Sequence, residues 1–206
     1  MKEDFMSGNI EEKNTASPDI WLRLTHLGLL VFGMAAWLSG NMADDYKHVE
    51  HTGFIVHKWL GTGAAFFILI RIGLGLFGSE VARFSRWLPI TGQRIAAAVE
   101  DIKGLLQLKL PHRQTHLGLA GVVQTFGLTV FTSIAVSGGI LFFLLEPGFR
   151  VRGIVHDIKE VHEIGEILIP AFLSLHVGAV VMHALAGNHI WKRILFPVEE
   201  QKNQVE

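Results

Sequence analysis

Residues 161–183 read VHEIGEILIPAFLSLHVGAVVMH, an apolar run of membrane-crossing length that nevertheless carries His162, His176 and His183. Imidazole is costly in hydrocarbon, and a polar side chain kept there marks a working site by default. His26 and His57 lie in two further apolar runs, 20–40 and 53–78. Any one of these rings could simply bond a carbonyl of the next helix. Their spacing argues for more. His162 and His176 are fourteen residues apart, which on one helix is four turns less about 40° and about 21 Å of rise. They therefore look into the same part of a bundle at two depths, with Pro170 between them as a source of bending. Arg71 follows His57 at the same fourteen-residue interval.

The elements that must position these groups follow from composition. Half of the 206 residues are hydrophobic and 18% are charged, against about 25% in a soluble domain. Cysteine is absent, which excludes disulfides, thiolate zinc sites, iron–sulfur clusters and covalent haem attachment. A net charge of −1 gives no reason to expect nucleic acid. Four runs are long enough to span, 20–40, 53–78, 116–146 and about 162–187. In lipid each must be helical to satisfy its backbone. Nineteen mostly polar residues precede the first run and no small-residue cleavage pattern follows it, so it reads as a retained span rather than a signal peptide. The expected fold is all-α, a four-transmembrane-helix bundle over 20–195, with tails at 1–19 and 196–206. Thr91 or Gly92 opens an amphipathic stretch that Pro111 ends, with apolar residues at Ile95, Val99, Ile102, Leu105 and Leu106. It reads as a short interfacial helix between spans two and three.

Twelve Lys and Arg fall on the side of the two termini and the 79–115 loop, and five on the opposite side. The positive-inside rule places both termini in the cytoplasm. Histidines at matched depth then pair as His57 with His162 near the outer face and His26 with His176 near the inner face. Two facing imidazoles make an axial pair for a haem iron with no open position, a site for electron transfer rather than oxygen activation. Arg71 falls at the inner depth, and no acidic residue occurs within spans one to three between their interfacial ends, so a haem propionate is its natural counter-ion, with snorkelling to the inner interface as the plain alternative. Gly28, Gly33, Gly61, Gly63, Gly118, Gly121 and Gly178 suit either a macrocycle or close helix packing. His183 competes with His176 as inner ligand and His51 with His57 as outer ligand. His48 and His156 read as loop residues, and His189, beside Trp191 and Lys192, as an interfacial anchor.

RLTHLGLLVFGMAAWLSG, then HKWLGTGAAFFILIRIGLGLFGSEVARFS, then VHEIGEILIPAFLSLHVGAVVMHALAGNHIWKRIL resemble the prokaryotic cytochrome b561 family. That family includes the b-type cytochrome subunits of nickel–iron hydrogenases and is similar to formate dehydrogenase cytochrome subunits. The likeness runs over about residues 20–195. It implies a four-helix bundle with two b haems, ligands at His26, His57, His162 and His176, and the span-two arginine at Arg71. It also implies electron passage between a periplasmic partner (a hydrogenase, a dehydrogenase or a multihaem c-type cytochrome) and the quinone pool of the inner membrane. Members often carry tryptophan after the span-one histidine, where Leu27 stands here.

His112 and His116 open span three on the inner side and could bond and protonate a quinone, or serve as interfacial anchors. Two other functions belong to different classes. One is a stand-alone oxidoreductase, for example from superoxide to quinone. The other is a histidine-lined metal transporter, disfavoured because Glu163 and Glu166 lie only at an outer end. Oligomeric state is open.

Overall fold

Four helices are long and apolar enough to cross a membrane: Ile20–Ala43, Thr52–Phe77, Leu119–Leu144 and Ile154–Leu185. A computed structural model describes residues 19–43, 50–110, 117–145, 151–189 and 191–195, and among these the regular structure is entirely helical. The chain runs α1 (Ile20–Ala43), α2 (Thr52–Phe77), α3 (Phe84–Trp87), α4 (Gly92–Leu106), α5 (Leu119–Leu144), α6 (Ile154–Glu163), α7 (Gly165–Leu185) and α8 (Trp191–Leu195).

Local chemistry sets the helix starts. The Asp19 carboxylate accepts the Leu22 N–H at 2.8 Å and caps α1. His51 Nδ1 accepts the Phe54 N–H at 3.3 Å and caps α2. The third and fourth spans instead follow glycines with left-handed backbone, Gly118 at φ 65° and Gly153 at φ 57°, a conformation glycine adopts without Cβ strain.

The fourth span begins earlier than its hydropathy predicts. It starts at Ile154 and is interrupted at Ile164, so His162 lies on α6 and His176 on α7. His156, Asp157, Lys159 and Glu160 make the first turns too polar to read as a span, while Val155 on the opposite face is buried. The angle expected for one unbroken helix between the two histidines therefore does not apply. A second irregularity lies in α1, where Leu29–Gly33 form a π-helical turn. Such a turn holds one residue more than an α turn and shifts the side-chain phase beyond it.

Aromatic rings set into glycines lock the helices together. A Cβ on Gly28 would lie 2.3 Å from the Phe67 ring, and one on Gly63 would lie 2.3 Å from Phe32. Spans one and two thus interlock reciprocally, with the Phe32 and Phe67 centroids 5.7 Å apart. Phe131 reaches Gly33 in the same way, and Phe172 reaches Gly127. Close van der Waals packing of this kind replaces the hydrophobic driving force, which is missing between helices in lipid. Of the glycines singled out in the sequence, Gly28, Gly33 and Gly63 thus serve packing, whereas Gly61 and Gly178 face open space.

Between spans two and three, Thr91 caps α4 by accepting the Arg94 N–H at 3.4 Å. The helix closes at Leu106, before Pro111, because Leu108 turns to φ 58° and the Lys109 N–H returns to the Gly104 carbonyl at 2.9 Å. Asp101, buried on the inward face of α4, accepts the Leu119 N–H at 2.9 Å and ties α4 to the start of the third span. Ile95, Val99, Ile102 and Leu106 form a stripe that stays exposed.

Candidate cofactor site

His57 on α2 and His162 on α6 face each other with ring centroids 6.0 Å apart and planes at 80°. His57 Nδ1 lies 2.9 Å from the Ala36 carbonyl and 3.3 Å from the Ser39 hydroxyl, both on α1. His162 Nδ1 lies 3.1 Å from the Ile134 carbonyl and 3.2 Å from the Ser137 hydroxyl, both on α5. A carbonyl only accepts, so each Nδ1 carries the proton and donates it. Each Nε2 is therefore left with its lone pair and has no hydrogen bond among the described residues. Both serines are buried; the Ser39 hydroxyl donates back to the Ala36 carbonyl at 3.0 Å, whereas the single Ser137 hydroxyl proton is shared between the Ser133 carbonyl at 2.8 Å and the Ile134 carbonyl at 3.1 Å. The two halves of this pair are built alike, from a carbonyl and a serine three residues later on a neighbouring helix.

The second pair is His26 on α1 and His176 on α7, with centroids 6.2 Å apart and planes at 44°. Phe172 stacks on His176 at 5.3 Å and 21°. The second pair lacks the supports of the first. Among the described residues His26 Nδ1 is buried with no hydrogen-bond partner, and His176 makes no hydrogen bond. Thr25, beside His26, is almost fully buried and spends its hydroxyl on the Trp21 carbonyl at 2.7 Å.

The donor set decides what such pairs can hold. Imidazole nitrogens about 2 Å from a shared metal ion, each about 1.1 Å from its ring centre, put two centroids about 6.2 Å apart. Both pairs match that spacing. Edge-to-face aromatic contacts cover the same range, so the distance alone does not discriminate. For the His57–His162 pair the Nδ1 hydrogen bonds do, because a neutral imidazole held through Nδ1–H with Nε2 unencumbered is the usual state of a metal-ligating histidine. No group of three or more His, Cys, Asp or Glu able to hold an ion occurs among the described residues. A site built from protein donors alone needs three or four, whereas a macrocycle supplies the remaining ones. Two axial nitrogens per site therefore fit haem iron and fit a bare metal ion poorly.

Arg71 lies on α2, and its Nη1 donates to the Ala82 carbonyl at 3.3 Å. Its guanidinium carbon lies 5.4 Å from the Phe84 ring centre and 5.3 Å from that of Trp87. Gly75 makes room for Phe84, since a Cβ there would fall 2.1 Å from the ring. Arg94 of α4 fixes the same short helix by donating to the Leu88 and Ser85 carbonyls, each at 2.8 Å. The aromatic shelf offsets part of the cost of holding a cation there. No carboxylate pairs with Arg71 among the described residues, and most of its five N–H donors remain for an anion.

The remaining histidines are placed as follows. His51 caps α2, and His162 faces His57 rather than His51. His26 meets His176 rather than His183. His156 is exposed beside Asp157 and Glu160, and His189 is edge-on to Trp191. His48, His112 and His116 lie outside the described residues. Sequence reasoning missed Ser39, Ser137 and the two glycines that admit the rings, Gly138 for His162 and Gly127 for Phe172. The repeated carbonyl-and-serine spacing was present in the sequence, but serines inside spans usually bond back to their own helix.

A family model described as prokaryotic cytochrome b561 matches residues 18–197. No curated protein and no solved structure matches the chain.

Proposed function

The chain belongs to the prokaryotic cytochrome b561 family, and on that premise we propose that it is a dihaem cytochrome carrying electrons across the inner membrane between a periplasmic redox partner and the quinone pool. Membership makes it a bacterial membrane cytochrome of b type with a role in electron transfer. The single observation that carries the finer reading is the His57–His162 pair, in which both Nδ1–H groups are engaged and both Nε2 lone pairs are presented. His57 and His162 would hold one haem, and His26 and His176 the other. Bound haem would supply a one-electron couple, and held by two imidazoles it would offer no position for oxygen.

The protein's own work is to orient and to insulate. The Ala36 and Ile134 carbonyls set the tautomer of their histidines. Phe172 holds the His176 plane, and the rings of Phe32, Phe67, Phe131 and Phe172 keep the bundle interior dry. Arg71 neutralises a propionate of the His26–His176 haem. Replacing Arg71 by Gln removes a charge-assisted interaction of about 1.5–3 kcal/mol, so haem at that site should transfer to apomyoglobin about ten to a hundred times more readily, with the other haem unaffected. Equal transfer from wild type and variant excludes this role.

Both termini lie in the cytoplasm on the basic-residue count, which puts the His57–His162 pair at the periplasmic end. The exposed Ile95, Val99, Ile102 and Leu106 stripe suits α4 to the cytoplasmic interface. The periplasmic partner is a hydrogenase, a dehydrogenase or a multihaem c-type cytochrome. His112 and His116 form the quinone site, bonding its carbonyls and passing protons from the cytoplasm. A superoxide-to-quinone oxidoreductase would use the same haem path, and co-purification of a partner separates it from the favoured reading.

The test is a pyridine haemochrome assay normalised to protein, with about two b haems per chain as the expected result. A colourless chain removes the electron carrier altogether. The quinone arm is read separately: His116→Ala should slow reoxidation of the dithionite-reduced protein by a quinone analogue, and an unchanged rate removes the site.

A further inference from the structure

The two histidine pairs differ in what stands behind them, and this difference bears on how their haems are poised. Each ring of the His57–His162 pair donates Nδ1–H toward two oxygens, 2.9 and 3.3 Å away for His57 and 3.1 and 3.2 Å for His162. Among the described residues His26 Nδ1 is buried and has none, and His176, stacked on Phe172, makes no hydrogen bond. Oxygen acceptors at Nδ1–H draw the proton away from the ring and raise the basicity of Nε2. A more basic axial ligand stabilises the higher charge on oxidised iron, so second-shell hydrogen bonding lowers a haem's reduction potential.

We infer that Ser39 and Ser137, with the Ala36 and Ile134 carbonyls, are positioning residues that set the His57–His162 haem at a lower reduction potential than the His26–His176 haem. The inference rests on the dihaem reading above. Arg71, a half-buried cation on the cytoplasmic half of α2, acts in the same sense by favouring the reduced form of the haem whose propionate it would meet. One electron passing from the first site to the second oxidises one iron and reduces the other, with no proton or further reagent. The chain thereby has an internal gradient that favours inward transfer without needing a quinone to pull on it.

The serines act in two ways. Each hydroxyl offers a second acceptor to the Nδ1–H; Ser39 also donates to the Ala36 carbonyl and holds it in the line of the ring, while Ser137 divides its proton between the Ser133 and Ile134 carbonyls. Alanine removes the hydroxyl with little change in volume, and threonine keeps it.

The experiment is an optical redox titration of the purified full-length protein, with the waves assigned by His57→Ala, which keeps only the His26–His176 haem, and by His26→Ala, which keeps only the other. In wild type the His57–His162 wave should be the lower. The double substitution Ser39→Ala with Ser137→Ala should move that wave upward and leave the second in place, and Ser39→Thr with Ser137→Thr should restore it. A His57–His162 wave equal to or above the other overturns the inference, as does an alanine pair that shifts neither wave or both equally. If the double alanine variant fails to fold, the wild-type order of the two assigned waves still decides. A single haem per chain overturns instead the dihaem reading beneath it.

Discussion

Alanine at His57 or at His162 is expected to remove one and the same haem, lowering the content from two per chain to about one. His26→Ala and His176→Ala are expected to remove the other. The grouping follows from geometry: the rings meet in two pairs, 6.0 and 6.2 Å apart between centroids, on three different spans. Losing one imidazole would leave a haem with too little hold at that site, whereas the other site would keep both of its histidines and its own packing. Haem content and the low-spin ferric EPR signal check this together. If His57→Ala and His176→Ala prove to share a phenotype that His162→Ala lacks, the pairing is wrong. His51→Ala and His183→Ala should leave both haems, since neither ring faces a partner histidine.

The second large effect comes from adding a methyl group. A Cβ at position 138 would lie 2.7 Å from His162 Cε1 and 3.2 Å from its Nδ1. The ring cannot retreat without leaving the Ile134 carbonyl and Ser137, so Gly138→Ala should push it off its axis. Overpacking of this kind costs about 1–3 kcal/mol, and loss of a ligand's supporting shell costs about 10–100-fold in affinity. Haem at the His57–His162 site should fall by that factor while the His26–His176 site keeps its own. Gly127→Ala should do the reverse, because its Cβ would meet the Phe172 ring at 2.2 Å and Phe172 is stacked on His176. Gly139→Ala is the control: the same substitution one residue along meets nothing within 4 Å and should leave both haems. Equal haem losses in all three variants would show that the glycines matter for helix packing in general and not for these rings.

Much of this architecture was legible because a bilayer leaves a chain few options. Every span must be a helix, so long apolar runs with sharp polar edges gave the number and order of the spans. The histidines and Arg71 stood out because ionisable groups are rare in such runs, and matching their depths gave both pairings. The start of the fourth span was not legible. Its first turns, Ile154–Glu163, carry exposed His156, Asp157 and Glu160 and the inward-facing His162, with only Val155 among their apolar residues buried, so they fall below what hydropathy detects.

The support behind the rings was hidden for a different reason. The π turn at Leu29–Gly33 adds one residue to α1, about 100° of phase on an α-helical wheel. A wheel drawn from His26 therefore misplaces Ala36 and Ser39. The acceptors for His57 and His162 are backbone carbonyls, which every residue carries and no sequence distinguishes. Which carbonyl meets which ring depends on interhelical distances set by phenyl rings seated on Gly28, Gly63 and Gly127.

The sequence by itself determined a helical membrane bundle and put forward the histidines that meet in pairs within it, since periodicity and hydrophobic length are local properties of the chain. Only the tertiary structure decided that one histidine pair is hydrogen-bonded through both rings while the other is left without acceptors. That difference exists only between helices, where a backbone phase shift and the close approach of aromatic rings to glycine fix which oxygen each imidazole can reach.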